Sequence, residues 1–112
     1  MAQNQVIWGS AETVKIQFSA DASAGDLVHE GNWYGVVESD VSAGEEGVLH
    51  IRGVFRLPKN SASQVINSGA VVEFVSGGKV QLFSSGTKIG KAYSTSASGE
   101  TEVEVILMPE LY

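Results

Sequence analysis

Two histidines are the side chains with which this chain could most readily bind a metal or move a proton. His29 and His50 are the only histidines among 112 residues, and neither has a third ligand nearby in sequence, although a carboxylate such as Glu30 could join them. Structural and catalytic metal sites need three or four convergent ligands. Solvent-facing strand positions therefore fit both histidines better, and we expect neither a metal nor a cofactor.

Four acidic residues lie close enough in sequence to form a calcium-binding cluster. They are Glu38, Asp40, Glu45 and Glu46. Their spacing differs from that of an EF-hand loop, in which oxygen ligands recur at fixed alternate positions. The pattern favours a solvated acidic loop over a calcium site.

Serine is abundant, so a catalytic serine would have to be identified by its surroundings. No Gly-x-Ser-x-Gly sequence is present, and serines among Ala, Ser and Gly are typical of turns. The segment SAGDLV (23–28), with later lysines, is faintly similar to Ser-Lys peptidases, in which a desolvated lysine activates a serine. The candidate lysines flank turns or alternate onto solvent-facing strand positions, so we predict no enzyme; they are Lys59, Lys79, Lys88 and Lys91.

Composition excludes several classes of partner. Thirteen acidic and seven basic residues give a net charge of −6. Nucleic-acid binding needs a basic surface, so we expect no nucleic-acid partner.

With no cysteine, disulfides and zinc–thiolate sites are excluded. No segment approaches the ~20 apolar residues of a membrane-spanning helix. The amino terminus lacks the features of a signal peptide. We therefore expect a soluble protein made in the cytoplasm, with no membrane partner.

Alternating apolar segments, each closed by Gly, Ser or Asn, extend from Thr13 to Met108. Alternation with a period of two indicates half-buried strands, and turns at regular spacing are typical of β-sandwiches and barrels. We predict an all-β fold of about eight strands, a small antiparallel barrel or jelly-roll-like sandwich with at most one short helix. Residues 1–12 would form an amino-terminal arm and 13–112 a single β domain. Residues 61–68 are the only candidate for a helical turn.

The longest predicted strand covers residues 47–57 and contains Gly53 on its inward face. A glycine at such a position suggests a bulge or a sharp bend. The inward positions of the alternation predict a core made of Val14, Ile16, Phe18, Val28, Leu49, Ile51, Phe55, Leu57, Val72, Phe74, Val80, Leu82, Val103, Val105 and Leu107.

Four passages of the sequence resemble the capsid cement, or decoration, proteins of tailed bacteriophages. They contain Gly25-Asp26-Leu27-Val28, the segment GVFRLPK (53–59), the segment GAVV (69–72) and the closing stretch from Ile89-Gly90 through Leu107. Their order matches the order of strand motifs in that family, and the match covers nearly the whole chain from Thr13 onward.

The resemblance implies a structural protein that binds the outer surface of a phage head and stabilises the shell. Its partners would be the major capsid protein and further copies of itself, as a homotrimer at local three-fold positions. It would be made in the host cytoplasm and located on the capsid exterior of the virion. The family brings no catalytic residues to transfer.

Apolar residues at both ends of the chain are the candidate capsid or subunit contacts. They are Val6, Ile7 and Trp8 in the arm and Leu111 and Tyr112 at the carboxyl terminus. Apolar groups in a terminal arm gain free energy when they are buried, either on their own domain or on a neighbour. We therefore expect the arm to become ordered on docking, with Trp8 capping its own domain as the alternative.

A carbohydrate- or cell-surface-binding β module is the alternative function. Its stacking platforms would be Trp33, Tyr34 and Tyr93. Aromatic residues beside glycine on a strand are more often part of a core or an interface, which favours the capsid protein.

Overall fold

The computed structural model describes residues 12–112, which form two antiparallel sheets packed as a sandwich. The strands are β1 (Thr13–Gln17), β2 (Leu27–Glu30), β3 (Trp33–Val37), β4 (Glu46–His50), β5 (Gly53–Pro58), β6 (Val71–Val75), β7 (Lys79–Leu82), β8 (Lys88–Ala92) and β9 (Glu102–Leu107). One 3-10 turn, Pro109–Leu111, follows β9. The predicted all-β fold is confirmed, as a sandwich rather than a closed barrel.

The first sheet has the strand order β1-β4-β3-β2, and the second has the order β5-β9-β8-β6-β7. The chain crosses between them at residues 51–53, so the single long strand predicted over 47–57 is wrong: it is two strands in different sheets. Gly53, with φ of 120°, lies at this corner, which confirms the predicted bend. This left-handed backbone conformation is one that residues with a side chain rarely adopt.

The expected helical turn over residues 61–68 is also wrong. This segment forms turns, and within it Ile66 makes an isolated bridge to Ser96 through two backbone hydrogen bonds of 3.0 and 2.8 Å. That pairing holds the peptide extended, which is incompatible with a helical turn. Within residues 12–112 the only helical turn is the one that begins at Pro109. No helix in this part of the chain is long and apolar enough to cross a bilayer.

The core is divided into two clusters of apolar side chains. The larger cluster lies between the sheets and joins Leu27 and Val36 to the inner face of the five-stranded sheet. The smaller cluster surrounds Phe18, Val37 and Leu49. Because Val36 and Val37 are neighbours on β3 and enter different clusters, this strand is buried on both faces.

Most of the predicted core is confirmed as buried, and the differences follow from the positions of the strands. The buried members are Phe18, Leu49, Ile51, Leu57, Val72, Val80, Val103, Val105 and Leu107. The half-buried ones, mostly on the edge strands β1, β2, β5 and β7, are Val14, Ile16, Val28, Phe55, Phe74 and Leu82. Buried residues that the alternation missed are Leu27, Val36, Val37, Val41, Ile66, Ile89 and Ala92.

The two sheets repeat one arrangement of four strands. In the first half (residues 13–50), β1 pairs with β4, β4 with β3, and β3 with β2. In the second half (residues 53–107), β5 pairs with β9, β9 with β8, and β8 with β6. Strand β7, which extends the second sheet beyond β6, has no counterpart among residues 12–50. The second half is therefore the first arrangement with one strand added at its edge.

A pair of matching turns accompanies each half. The turns cover residues 22–26 and 41–45 in the first half and residues 66–70 and 96–100 in the second. In each turn the fourth residue is a glycine with φ between 87° and 96°, and the fifth N–H donates to the carbonyl oxygen of the second residue. Their first residues pair by the isolated bridges Ala22–Val41 and Ile66–Ser96.

Two glycines confirm the correspondence at the level of atoms. A Cβ on Gly35 of β3 would overlap the carbonyl oxygen of His50 on β4. A Cβ on Gly90 of β8 would overlap the carbonyl oxygen of Ile106 on β9. Gly35 and Gly90 occupy equivalent positions, as do His50 and Ile106, so each half has the same close approach of two backbones.

Candidate interaction surface

The two histidines lie apart and have separate contacts. The His29 ring stacks on Tyr34, with ring centroids 4.1 Å apart and planes at 5°. The Nε2 atom of His50 lies 3.3 Å from a carboxylate oxygen of Glu38. Within residues 12–112, no three His, Cys, Asp or Glu side chains converge in a way that could hold a metal ion.

The acidic residues of the first half hold its turns together. Asp40 accepts a hydrogen bond from the N–H of Ala24 at 2.9 Å, and Asp21 accepts one from the N–H of Ala43 at 2.7 Å. Glu45 accepts one within its own turn. Asp21 and Asp40 each precede one turn and bond the other, so these two carboxylates link the two turns.

The expectation that Lys59 faces solvent is wrong. It is buried, and its backbone position in the second half corresponds to that of Phe18 in the first. Its Nζ donates to the carbonyl oxygens of Ala62 and Ala97, at 3.3 and 3.2 Å. A buried ammonium needs such acceptors, so Lys59 joins two turns of the second half.

Glu73 on β6 is a buried carboxylate with an unusually complete set of donors. One of its oxygens accepts from the N–H groups of Ser84, Ser85 and Gly86, at 2.8, 3.1 and 2.8 Å. The other accepts from the side-chain amide of Gln81. These bonds, led by that from Ser84, lower the pKa of Glu73 to about 2. Glu73 thereby fixes the loop that follows β7.

The carboxyl-terminal segment is fastened to its own domain. The Tyr112 hydroxyl donates to the carbonyl oxygen of Tyr34 at 3.0 Å and accepts from the N–H of Tyr34 at 3.3 Å. Burial raises the pKa of Tyr112. Arg52 and Glu110 form an ion pair of 2.6 Å, and the bond from Arg52 lowers the pKa of Glu110. Leu111 is half-buried.

The candidate contact residues Val6, Ile7 and Trp8 lie outside the described residues. Of the aromatic residues of the alternative function, Trp33 and Tyr34 line one open groove, whereas Tyr93 is exposed on the other sheet. The Tyr34 ring also contacts the rings of His29, Phe74 and Tyr112. The three aromatic residues do not form one stacking platform.

Exposed apolar side chains concentrate on the outer face of the five-stranded sheet. Across this face runs a row in strand register, which we call the outer row: Val54, Ile106, Lys91, Val71 and Phe83. Directly paired residues of antiparallel strands share a face. Of the four large apolar side chains that are exposed within residues 12–112, three lie on this face, namely Val54, Phe83 and Tyr93, and the fourth is Val65.

Sequence reasoning missed the outer row because it assigned the apolar residues of each strand to a single face. The signal was present in β5 and β9, where Val54 and Ile106 stand at outward positions between the inward Phe55, Val105 and Leu107. Apolar residues on both faces of a strand indicate that both faces contact something.

A family model described as phage cement protein matches residues 9–107 of the chain. The matched region contains all nine strands of the described residues and both pairs of turns. Comparison with curated proteins finds no match.

Proposed function

The chain belongs to the phage cement protein family, and from this premise we propose that it binds the outer surface of a phage head and stabilises the assembled shell. Membership of the family, over residues 9–107, is the observation that carries the proposal, and a role in capsid stability follows from it. The fold is consistent with that role, because its buried charged groups within residues 12–112, Glu30, Lys59 and Glu73, are all occupied in hydrogen bonds to loop residues.

Stabilisation would arise from binding linkage. A protein that binds the assembled shell, and not its separated subunits, lowers the free energy of the assembled state by its own binding free energy. Because many copies bind one head, a modest binding free energy per copy adds up to a large stabilisation of the shell. We further propose that the protein acts as a homotrimer, because a closed ring suits an icosahedral lattice and gives avidity without a strong single site.

The terminal residues remain our proposed contacts. Val6, Ile7 and Trp8 would anchor the arm on the shell or on a neighbouring subunit. Leu111 and Tyr112 would contact a neighbouring subunit through the parts that their own domain leaves exposed, since both are only half-buried.

Co-sedimentation with undecorated heads of its own phage tests the proposal. We expect purified protein to sediment with heads, to saturate at a stoichiometry set by the lattice, and to raise the temperature at which the heads are disrupted. Absence of binding to every maturation state of those heads would contradict the proposal.

Deletion of residues 2–11 tests the arm. We expect a folded domain, with an unchanged circular dichroism spectrum, that no longer sediments with heads. Unaltered decoration would exclude the arm as an anchor, and an unfolded domain would show that Trp8 caps its own sandwich.

A further inference from the structure

The repeated architecture shows how the outer row is used elsewhere in the same molecule. Its counterpart in the first half is the row Thr13, His50, Val36 and Leu27, which crosses the first sheet in the same register. There, Val36 and Leu27 are buried against the inner face of the second sheet. The same face of the repeated unit is thus an interface in the first half and is open in the second.

The strand that only the second half possesses extends the outer row. The N–H of Phe83, just after β7, donates to the carbonyl oxygen of Val71, which places Phe83 next to Val71 in the row. The Phe83 ring is 40% exposed and lies under the ammonium group of Lys88, 4.7 Å from its centroid. An aromatic ring that is held in place before binding loses little conformational freedom when it is buried.

Glu73 provides that preorganisation. The loop that it holds, residues 84–86, begins immediately after Phe83, and the carboxylate is buried beneath it. Three backbone N–H groups of this short loop bond the buried carboxylate, and the side chain of Gln81 on β7 supplies a fourth bond. The result is a fixed aromatic side chain at the end of the outer row.

Two lysines at the outer row identify the kind of partner, since the carboxylate of Glu104 elsewhere on this face is paired with Arg56. Lys91 lies at the centre of the row and Lys88 lies beside Phe83; within residues 12–112 neither forms an ion pair with a carboxylate. Two exposed ammonium groups beside apolar side chains, in a chain of net charge −6, complement an apolar protein surface that carries carboxylates.

We propose that the outer row is the face through which the domain docks on the capsid shell, with Phe83 as the apolar anchor and Lys91 and Lys88 facing acidic residues of the shell protein. This inference rests on the proposed function and adds to it a docking face within the folded domain. A second copy of the chain in a two-fold contact fits less well, because it would bring the lysines of one row against those of the other.

Three single variants test the docking face in the full-length protein. Phe83→Ser removes the anchor, Lys91→Glu reverses the central charge, and Val65→Ser is the matched control. Val65 is exposed to 45%, close to the value for Phe83, but lies in a connection outside the outer row. All three variants are exposed-site changes, and cooperative thermal unfolding near that of the wild type verifies their fold.

We expect Phe83→Ser and Lys91→Glu each to weaken binding to undecorated heads at least tenfold and Val65→Ser to bind within twofold of the wild type. The difference in affinity between Lys91→Glu and the wild type should decrease as the salt concentration is raised, because salt screens the charge contact that the wild type makes. Wild-type affinity in both row variants, while the wild type itself binds heads, would overturn the docking face and leave the proposed function intact.

Sedimentation of the free proteins separates the remaining explanations. If either row variant changes the oligomeric state in solution, the outer row is a contact between copies and the proposal is overturned. If the wild type does not bind heads at all, the proposed function fails first. Unchanged oligomeric state together with lost head binding supports the docking face.

Discussion

Glu73 links the stability of the domain to pH. A carboxylate that accepts three backbone N–H groups and a side-chain amide is favoured in its charged form, so its pKa of about 2 lies below the ordinary value of 4.5. The stabilisation is present in full above pH 4.5 and is lost as pH falls towards 2. Protonation of this one group should therefore loosen the loop after β7 in acid.

The variant Glu73→Gln tests this assignment. The amide is a neutral, weaker acceptor, and its NH₂ group would oppose that of Gln81, so we expect a loss of about 1.5–3 kcal/mol in the free energy of unfolding at pH 7. The difference from the wild type should diminish as pH is lowered through the range in which Glu73 gains its proton. Urea unfolding between pH 7 and 2.5 measures both effects. Glu46→Gln, which alters only an exposed pair with Lys15, is the control and should change little.

The Tyr112 hydroxyl gives a second prediction at the residue scale. Tyr112→Phe keeps the ring against Tyr34 but removes both hydrogen bonds, so we expect a loss of about 1 kcal/mol. Since burial raises the pKa of Tyr112 above 10.0, the stabilisation is present below that pH and is lost as pH rises through the folded-state value. Thermal unfolding at pH 7 and pH 11 should show a smaller difference at pH 11. Tyr93→Phe, at an exposed tyrosine, should show no loss at either pH.

At the scale of elements, each half has a glycine on which a Cβ would overlap a carbonyl oxygen of the adjacent strand. Gly35→Ala and Gly90→Ala would each force a methyl group into a carbonyl oxygen of the adjacent strand. We expect each to destabilise the domain by about 1–3 kcal/mol or more, the range of overpacked sites. Chemical denaturation of both variants, with the exposed neighbour Lys91→Ala as control, measures the effect. Equal stability of either glycine variant and the wild type would contradict the equivalence of the two strand pairs.

The strands show how far the sequence predicts the structure and where it stops. Alternation located the strands, because a strand with one buried face alternates, and Gly53 marked the bend between sheets. It located β3 but did not identify its buried residues, because both faces of this strand are buried and Val36 and Val37 then carry no alternation. It also failed for Lys59, because the carbonyl oxygens that make its burial possible come from turns distant in sequence.

The candidate site was predictable to a smaller extent. The family resemblance and the absence of a catalytic constellation pointed to a structural protein, and the family match confirms the family. The outward apolar residues Val54 and Ile106 were visible in the sequence, but the outer row as a whole was not. Registers that no local pattern encodes assemble it from four strands and from Phe83, which follows β7. The structural role of Glu73 was not predictable either, since the donors from residues 84–86 are backbone groups.

At the scale of the whole molecule, the two halves differ in how they use one architecture. The first half turns its row inward and helps form the shared core, whereas the second half keeps the equivalent row at the surface and extends it with β7. The groups that link the matching turns also differ in charge. Carboxylates link the turns of the first half, and the buried ammonium group of Lys59 links those of the second. The same four-strand arrangement thus occurs twice in one chain, once with its row buried and once with its row at the surface.

Each sheet is also made from one uninterrupted stretch of chain, residues 13–50 for the first and 53–107 for the second. The order in which the protein leaves the ribosome is therefore the order in which its sheets become complete. All four strands of the first sheet have been synthesised before the second sheet begins, so the first sheet can pair its strands before the second is available. The apolar side chains of Val36 and Leu27 are covered only by the second sheet. The nascent first half therefore exposes an aggregation-prone apolar face until the second half has folded against it.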